Sequence, residues 1–182
     1  MAWYAMHVHS GREDTVCEGV REWLEQKGYN EPYKMFVVKR ELLERRQGEY
    51  YTILKIMFPG YVLVESEDIR SFAELSRNCK GVCRFLENEG EVQQVANAEM
   101  AQIVCLTNEQ GLMGVSDVYR DGDSIMVLSG VLNNCVGRIV KFDTHNRRAR
   151  VEFVFDGKVY EVGLGIRVVE TGNEISILRI SE

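Results

Sequence analysis

The sequence predicts an α+β protein in which helices pack on a mostly antiparallel sheet to form a sandwich, followed by a small β-barrel. Three observations carry this. Through residues 1–109, stretches of period-two alternation interleave with apolar stripes at helical spacing, the pattern of strands and amphipathic helices that share one sheet. At Gly111-Leu112-Met113-Gly114-Val115-Ser116 the helical period breaks and charge thins out, which reads as a linker over 110–117. Beyond it, 118–182 carries short strands separated by the turn residues Ser129-Gly130, Asn133-Asn134, Thr144-His145-Asn146 and Asp156-Gly157, and five such strands close most simply into a barrel.

Each element has its own warrant. Residues 3–9 alternate as Trp3, Ala5, His7, His9 against Tyr4, Met6, Val8, a strand. Ser10 and Glu13 are spaced as a capping box that opens a helix, and Val16, Val20, Trp23 and Leu24 form its apolar stripe as far as Gly28. Residues 33–39, 50–56 and 61–65 read as strands, with a charged arm over 40–48 between the first two. A second helix pattern spans 66–79 through Ile69, Phe72, Ala73 and Ser76. Strands at 82–86 and 91–95 flank the turn Asn88-Glu89-Gly90, and a third helix from Asn97 is expected to bury Met100, Ile103 and Val104. Over 149–155 the apolar Ala149, Val151, Phe153 and Phe155 alternate with Arg150, Glu152 and Val154, so Arg148 and Arg150 are expected on the face away from the core.

Composition narrows the function classes. A chain of 182 residues with 45% hydrophobic content supports compact cores. No apolar run approaches the roughly 18 to 20 residues that cross a bilayer, and the start lacks the blocks of a secretion signal, so a cytoplasmic protein with no membrane partner is expected. The five cysteines are odd in number and scattered, which suits reduced thiols. A net charge of −6 argues against coating nucleic acid by bulk electrostatics. The acidic excess sits wholly before Val118, however, and Arg138, Lys141, Arg147, Arg148 and Arg150 cluster against Asp143 alone, so any nucleic-acid contact is expected to be local to that tract. Catalysis finds no support: His145 lies far from His7 and His9 in the chain, the spacing of Cys79 and Cys83 matches no structural zinc or thioredoxin motif, and no phosphate-cradling glycine loop is present. No enzyme, metal or small-molecule cofactor is expected.

Two motifs point further. Met57-Phe58-Pro59-Gly60-Tyr61-Val62-Leu63-Val64 joins an aromatic, a turn-forming Pro-Gly and an apolar strand without a charge. Taken alone it is a turn followed by core. About seventy residues later, Gly122-Asp123-Ser124-Ile125-Met126-Val127-Leu128-Ser129-Gly130, then Cys135-Val136-Gly137-Arg138-Ile139-Val140, Asp143 and Arg147-Arg148-Ala149-Arg150-Val151 resemble a KOW module, a small barrel that binds RNA or proteins. From Trp3-Tyr4 to about Glu170 the chain resembles NusG-type transcription elongation factors, which join an NGN domain to a KOW domain.

That resemblance implies an apolar hollow on the first domain that seats the clamp helices of bacterial RNA polymerase, at His7, Phe58, Tyr61, Leu63 and Phe85, with His7 replacing the more usual aromatic. It implies that the arm lies near upstream or non-template DNA, where Arg45 and Arg46 would meet phosphate. Ser71-Phe72-Ala73-Glu74 lacks the Thr-rich patch by which some relatives capture a DNA hairpin. In the second module the usual Gly-Pro-aromatic turn is replaced by Gly130-Val131-Leu132, and the basic tract Arg138, Lys141, His145, Arg147, Arg148 and Arg150 suits an RNA backbone. Gly111-Leu112-Met113-Gly114, Asn146-Arg147-Arg148-Ala149 and Leu164-Gly165-Ile166-Arg167-Val168-Val169 are similar to the LoaP branch of specialised antiterminators. The expected function is therefore a monomeric antitermination factor recruited through a leader RNA hairpin. The alternatives are a general NusG elongation factor and a ribosomal RNA-binding protein with a KOW barrel.

Overall fold

The computed structural model describes residues 1–122, 124–135 and 137–169. Asp123 and Val136 of the second motif, and residues 170–182 of the expected second domain, lie outside the described residues.

The first layer is a four-stranded sheet in the order β2-β5-β1-β6, built from β1 (Ala2–Val8), β2 (Tyr33–Phe36), β5 (Tyr61–Ser66) and β6 (Val82–Phe85). Every pairing in it is antiparallel. Alternation along β1 sends Met6 and Val8 to one face and Ala5 to the other. The first face is covered by α1 (Glu13–Gln26) and α2 (Ile69–Ser76), whose stripes Val16, Cys17, Val20, Leu24 and Phe72, Ala73 close one core. The indole of Trp23 ties the helices by donating to the Leu75 carbonyl at 3.0 Å.

The helix ends follow local chemistry, with two corrections to the sequence reading. α1 stops where Gly28 takes φ +70°: the Tyr29 N–H reaches back to the Leu24 carbonyl and the Gly28 N–H to that of Glu25, which satisfies the last-turn carbonyls. Its start is not the expected capping box. Arg12 occupies the cap without a side-chain bond, and Glu13 turns inward, 1% exposed, to accept the Gly60 N–H at 2.7 Å. The carboxylate thus holds the Pro59-Gly60 turn. α2 is shorter than the 66–79 pattern because Asp68, accepting the Ser71 N–H at 3.1 Å, starts it.

The arm expected over 40–48 is a paired hairpin, β3 (Lys39–Arg46) against β4 (Glu49–Ile56), turned by Gln47 and Gly48 with both φ values positive. The stretch read as a linker contributes β9 (Leu112–Met113), parallel to Lys39 and Arg40, so β4-β3-β9 form a second sheet. A small ribbon, β7 (Glu87–Asn88) with β8 (Glu91–Val92), precedes α3 (Asn97–Val104). α3 buries Met100 and Ile103, but Val104 is 44% exposed, a correction: it faces solvent while Leu106, just past the helix end, fills the core.

The remainder is one five-stranded sheet in the order β11-β10-β14-β13-β12, curled as a half-barrel: β10 (Ser116–Asp121), β11 (Ser124–Ser129), β12 (Arg138–Asp143), β13 (Arg148–Phe155) and β14 (Lys158–Val169). A short 3₁₀ turn, Val131–Asn134, joins β11 to β12. The long β14 runs antiparallel to β13 and then parallel to β10, and so bends the sheet on itself. Ala149, Val151, Phe153 and Phe155 are all fully buried, as the alternation required. Asp156 and Gly157 both take positive φ, the two-residue turn that matches the twist of a hairpin.

Because the Glu13 carboxylate is the side-chain acceptor for the Gly60 N–H, Glu13→Ala should cost about 1–3 kcal/mol of unfolding free energy. A urea melt of the two proteins reads this directly.

Candidate functional site

The second face of the four-stranded sheet is where the expected apolar residues gather. Leu63 and Ala5 are register partners, as are Tyr61 and His7, so these four share one face. The His7 and Tyr61 rings meet edge-on at 5.4 Å, and Phe58 comes in from the turn held by Glu13. The His7 Nδ1 is buried without a hydrogen-bond partner. Phe85 is the exception, and a correction. It pairs with Met6 and packs edge-on against Phe72 at 6.2 Å, on the helix side of the sheet. Its neighbour Leu86 lies on the Phe58 side instead, away from the core that the helices close. Placing the two required the β1–β6 register, which local alternation does not contain.

This face is not open. The barrel covers it: Phe155 stacks on Phe58 with centroids 4.6 Å apart and planes 24° from parallel, and also meets Tyr61 edge-on at 5.7 Å. Tyr160 closes a third side of Phe58 at 5.6 Å. One hydrophobic core therefore runs from Ala5 and Leu63 through Phe58 into Val151, Phe153 and Phe155. Polar contacts frame it. The Glu99 carboxylate of α3 accepts the Asp156 N–H at 3.0 Å and the Gly157 N–H at 3.1 Å, capping the turn that carries Phe155. At Gly165 the chains approach so closely that a Cβ would stand 2.4 Å from the Glu41 carbonyl oxygen. That glycine sat in plain view in Gly163-Leu164-Gly165; alternate glycines in a strand signal close backbone approach.

The basic tract divides in two. Arg138 and Arg150 are exposed and pair with Glu152 at 3.7 Å and Glu161 at 3.0 Å, and Lys141 and His145 are exposed. Arg147 and Arg148 instead turn toward the β3–β4 hairpin. The Arg148 Nη1 donates to the Leu43 carbonyl at 2.9 Å, which corrects the expectation that this residue stands free on the outer face. The Arg147 guanidinium lies 5.0 Å from the ring centre of Tyr50, and hydrogen bonding from it to the phenol oxygen, helped by its charge, holds that phenol below its ordinary pKa. Between Arg45 and Tyr50 on one side and His145, Asn146 and Arg148 on the other lies a cleft of about 340 Å³. Arg45 and Arg46 are exposed on the hairpin, with Arg46 paired to Glu44 at 3.3 Å. The sequence reading missed Tyr50, Arg40 and Glu99, whose parts appear only when the two sheets meet.

Among the described residues no cluster of His, Cys, Asp and Glu could hold a metal ion. Burial pushes the Cys17 thiol up to about 12, which makes it packing, not a nucleophile.

The class of protein is thus an α+β sandwich whose second apolar face is capped by a small curled barrel of the same chain. The chain belongs to the NusG family: the family model described as transcription termination factor nusG matches residues 1–104. The transcription termination/antitermination protein NusG of Staphylococcus aureus strain Mu50 is 27% identical over 145 residues, covering 78% of this chain and 80% of that protein, and the protein of strain N315 gives the same figures. A solved structure described as domain interaction in Thermotoga maritima NusG has the same fold, with a TM-score of 0.57 at 22% identity over 90% of this chain and 93% of that one.

Gly165→Ala should pry the barrel from β3, since the added methyl meets backbone at Glu41. Amide exchange is then expected to rise at Asp156 and Gly157 while β1 and β5 keep their protection. Thiol labelling gives an independent check on the packing: at about pH 8, Cys83 and Cys105 should react readily, and Cys17 only as the protein unfolds.

Proposed function

We propose that this protein is a NusG-type processive antitermination factor of the LoaP branch, which binds elongating bacterial RNA polymerase and suppresses pausing and termination. The observation that carries the reading is the face formed by Phe58, Tyr61 and Leu63, an aromatic and apolar patch covered by a part of the same chain. Such a patch, once uncovered, suits the tip of the polymerase clamp helices, with a hydrophobic centre and His7 at its edge. The division proposed is 1–109 as the NGN-like polymerase-binding domain, 110–117 as linker and 118–182 as the KOW-like barrel. Binding that prefers the closed clamp draws the polymerase away from the open, paused form by population shift.

The barrel supplies recruitment. Its basic tract, Arg138, Lys141, His145, Arg147, Arg148 and Arg150, is proposed to grasp a leader RNA hairpin, and Arg45 and Arg46 on the exposed hairpin tip to contact upstream or non-template DNA. No reaction is assigned: the protein acts as a monomeric binding factor, without cofactor, on polymerase in the cytoplasm. With the barrel docked, apparent affinity for polymerase is reduced by the fraction of molecules that are open.

Tyr61→Glu, verified as folded by circular dichroism, should weaken binding to purified polymerase by about thirtyfold or more, the loss of one central anchor. It should also abolish readthrough of an intrinsic terminator in a single-round transcription assay. A folded variant that binds and reads through normally overturns the assignment of this face.

A further inference from the structure

The two arginines offered to RNA are the ones that clasp the barrel to the β3–β4 hairpin, and they are poorly served there. The Arg148 Nη1 finds only the carbonyls of Leu43 and Arg147, each at 2.9 Å. Arg147 rests on the exposed Tyr50 ring, has its Nη1 buried without a hydrogen-bond partner, and holds a backbone φ of +56° that L-residues rarely adopt. A third guanidinium, Arg40, enters the same seam, donating to the Gly163 carbonyl at 2.7 Å with its Nε buried and unpartnered. Burial lowers the pKa of both Arg40 and Arg148, and the charge of Arg148 lowers that of Arg40 further. Among the described residues none of the three forms a salt bridge. The nearest acids are engaged elsewhere: Glu44 with Arg46, and Asp143 with the Asn146 N–H and side chain.

Cations desolvated against neutral carbonyls and a ring have a better partner in phosphate. A phosphate offers the planar guanidinium two parallel N–H···O bonds to an ionised acceptor, where the seam offers single bonds to neutral carbonyls. A ligand that draws Arg147 and Arg148 onto phosphate removes two ties from the junction and leaves Arg40 alone in the seam. We propose that structured RNA and the β3–β4 hairpin compete for Arg147 and Arg148, so that binding RNA releases the barrel and uncovers the Phe58, Tyr61 and Leu63 face. This rests on the reading that the barrel binds RNA and adds to it the coupling. By linkage, the factor by which RNA raises affinity for polymerase equals the factor by which polymerase raises affinity for RNA.

The test uses the full chain and a stem-loop RNA obtained by in-vitro selection against it, with a DNA stem-loop of the same sequence as control. The RNA should lower the amide protection of Asp156 and Gly157 and tighten binding to polymerase by about tenfold. Joint replacement Arg147→Ala and Arg148→Ala should give the tighter polymerase binding without RNA and abolish the response to it. Tyr50→Ala gives the sharper discrimination. It leaves every barrel residue in place and removes the competitor for Arg147, so RNA affinity should rise about two- to fivefold. A fall would mean that RNA stacks on Tyr50 in a shared cleft, and would overturn the competition. RNA that binds yet leaves protection and polymerase affinity unchanged also overturns it, while leaving the RNA-binding function intact. Failure to select any RNA dependent on the basic tract removes that function and this coupling together. An equal response to the DNA stem-loop overturns RNA as the releasing ligand.

Discussion

The stack of Phe58 on Phe155 joins two structures that would otherwise need separate cores. A single antiparallel sheet has two faces, and here α1 and α2 cover only one. The other is rich in apolar side chains, because alternation in β1 and β5 sends Ala5 and Leu63 there together with Tyr61 and His7. α3 is a helix of eight residues and cannot cover it alone. The barrel completes the covering, at the end where Phe58 stands. Glu13 and Glu99 are then understandable as a pair of devices. One fixes the turn that presents Phe58 through a buried backbone N–H, and the other caps the turn that presents Phe155 through the half-buried N–H of Asp156 and the exposed one of Gly157.

The rest of the junction has a different character. Away from the aromatic cluster, the barrel meets the β3–β4 hairpin through arginines and carbonyls, and at Gly165 through backbone packed on backbone. Apolar burial is indifferent to which partner supplies it, so an uncovered aromatic face accepts another apolar surface readily. Guanidinium groups are not indifferent: their geometry favours planar, paired anionic oxygens, which the seam does not provide. One part of the junction is thus stabilising and exchangeable, the other strained and selective. Under the proposed function these two parts answer to different ligands, a protein surface for the first and a nucleic acid for the second.

What was legible in the sequence follows the range of the interactions. The stripe of α1, the burial of Ala149, Val151, Phe153 and Phe155, and the Asp156-Gly157 turn are each set by neighbours within a few residues, and all were found. Glu13 was misread because its spacing from Ser10 satisfies a helix-capping pattern, while its true acceptor role depends on a turn 47 residues away. Phe85 was grouped with the hollow residues by resemblance alone, and only the pairing of Met6 with Phe85 shows that it takes the helix side of the sheet. Arg148 was read correctly as pointing out of the barrel. What lay outside was not solvent but the hairpin, 105 residues earlier in the chain.

That last error is instructive about binding sites in general. Strand alternation tells which residues leave their own core, and in a one-part protein this is the same as being free to bind. In a chain whose parts dock on each other, the outward face of one part is the inward face of the junction, and basic residues found there are already engaged. Their strength as ligands is then a difference between two states and not a property of the tract itself. Arg138 and Arg150, paired with carboxylates on their own sheet, lose an ion pair when they turn to phosphate. Arg147 and Arg148 give up only carbonyls and a ring, so the two arginines of the tract that are least exposed are the ones with most to gain from an anion.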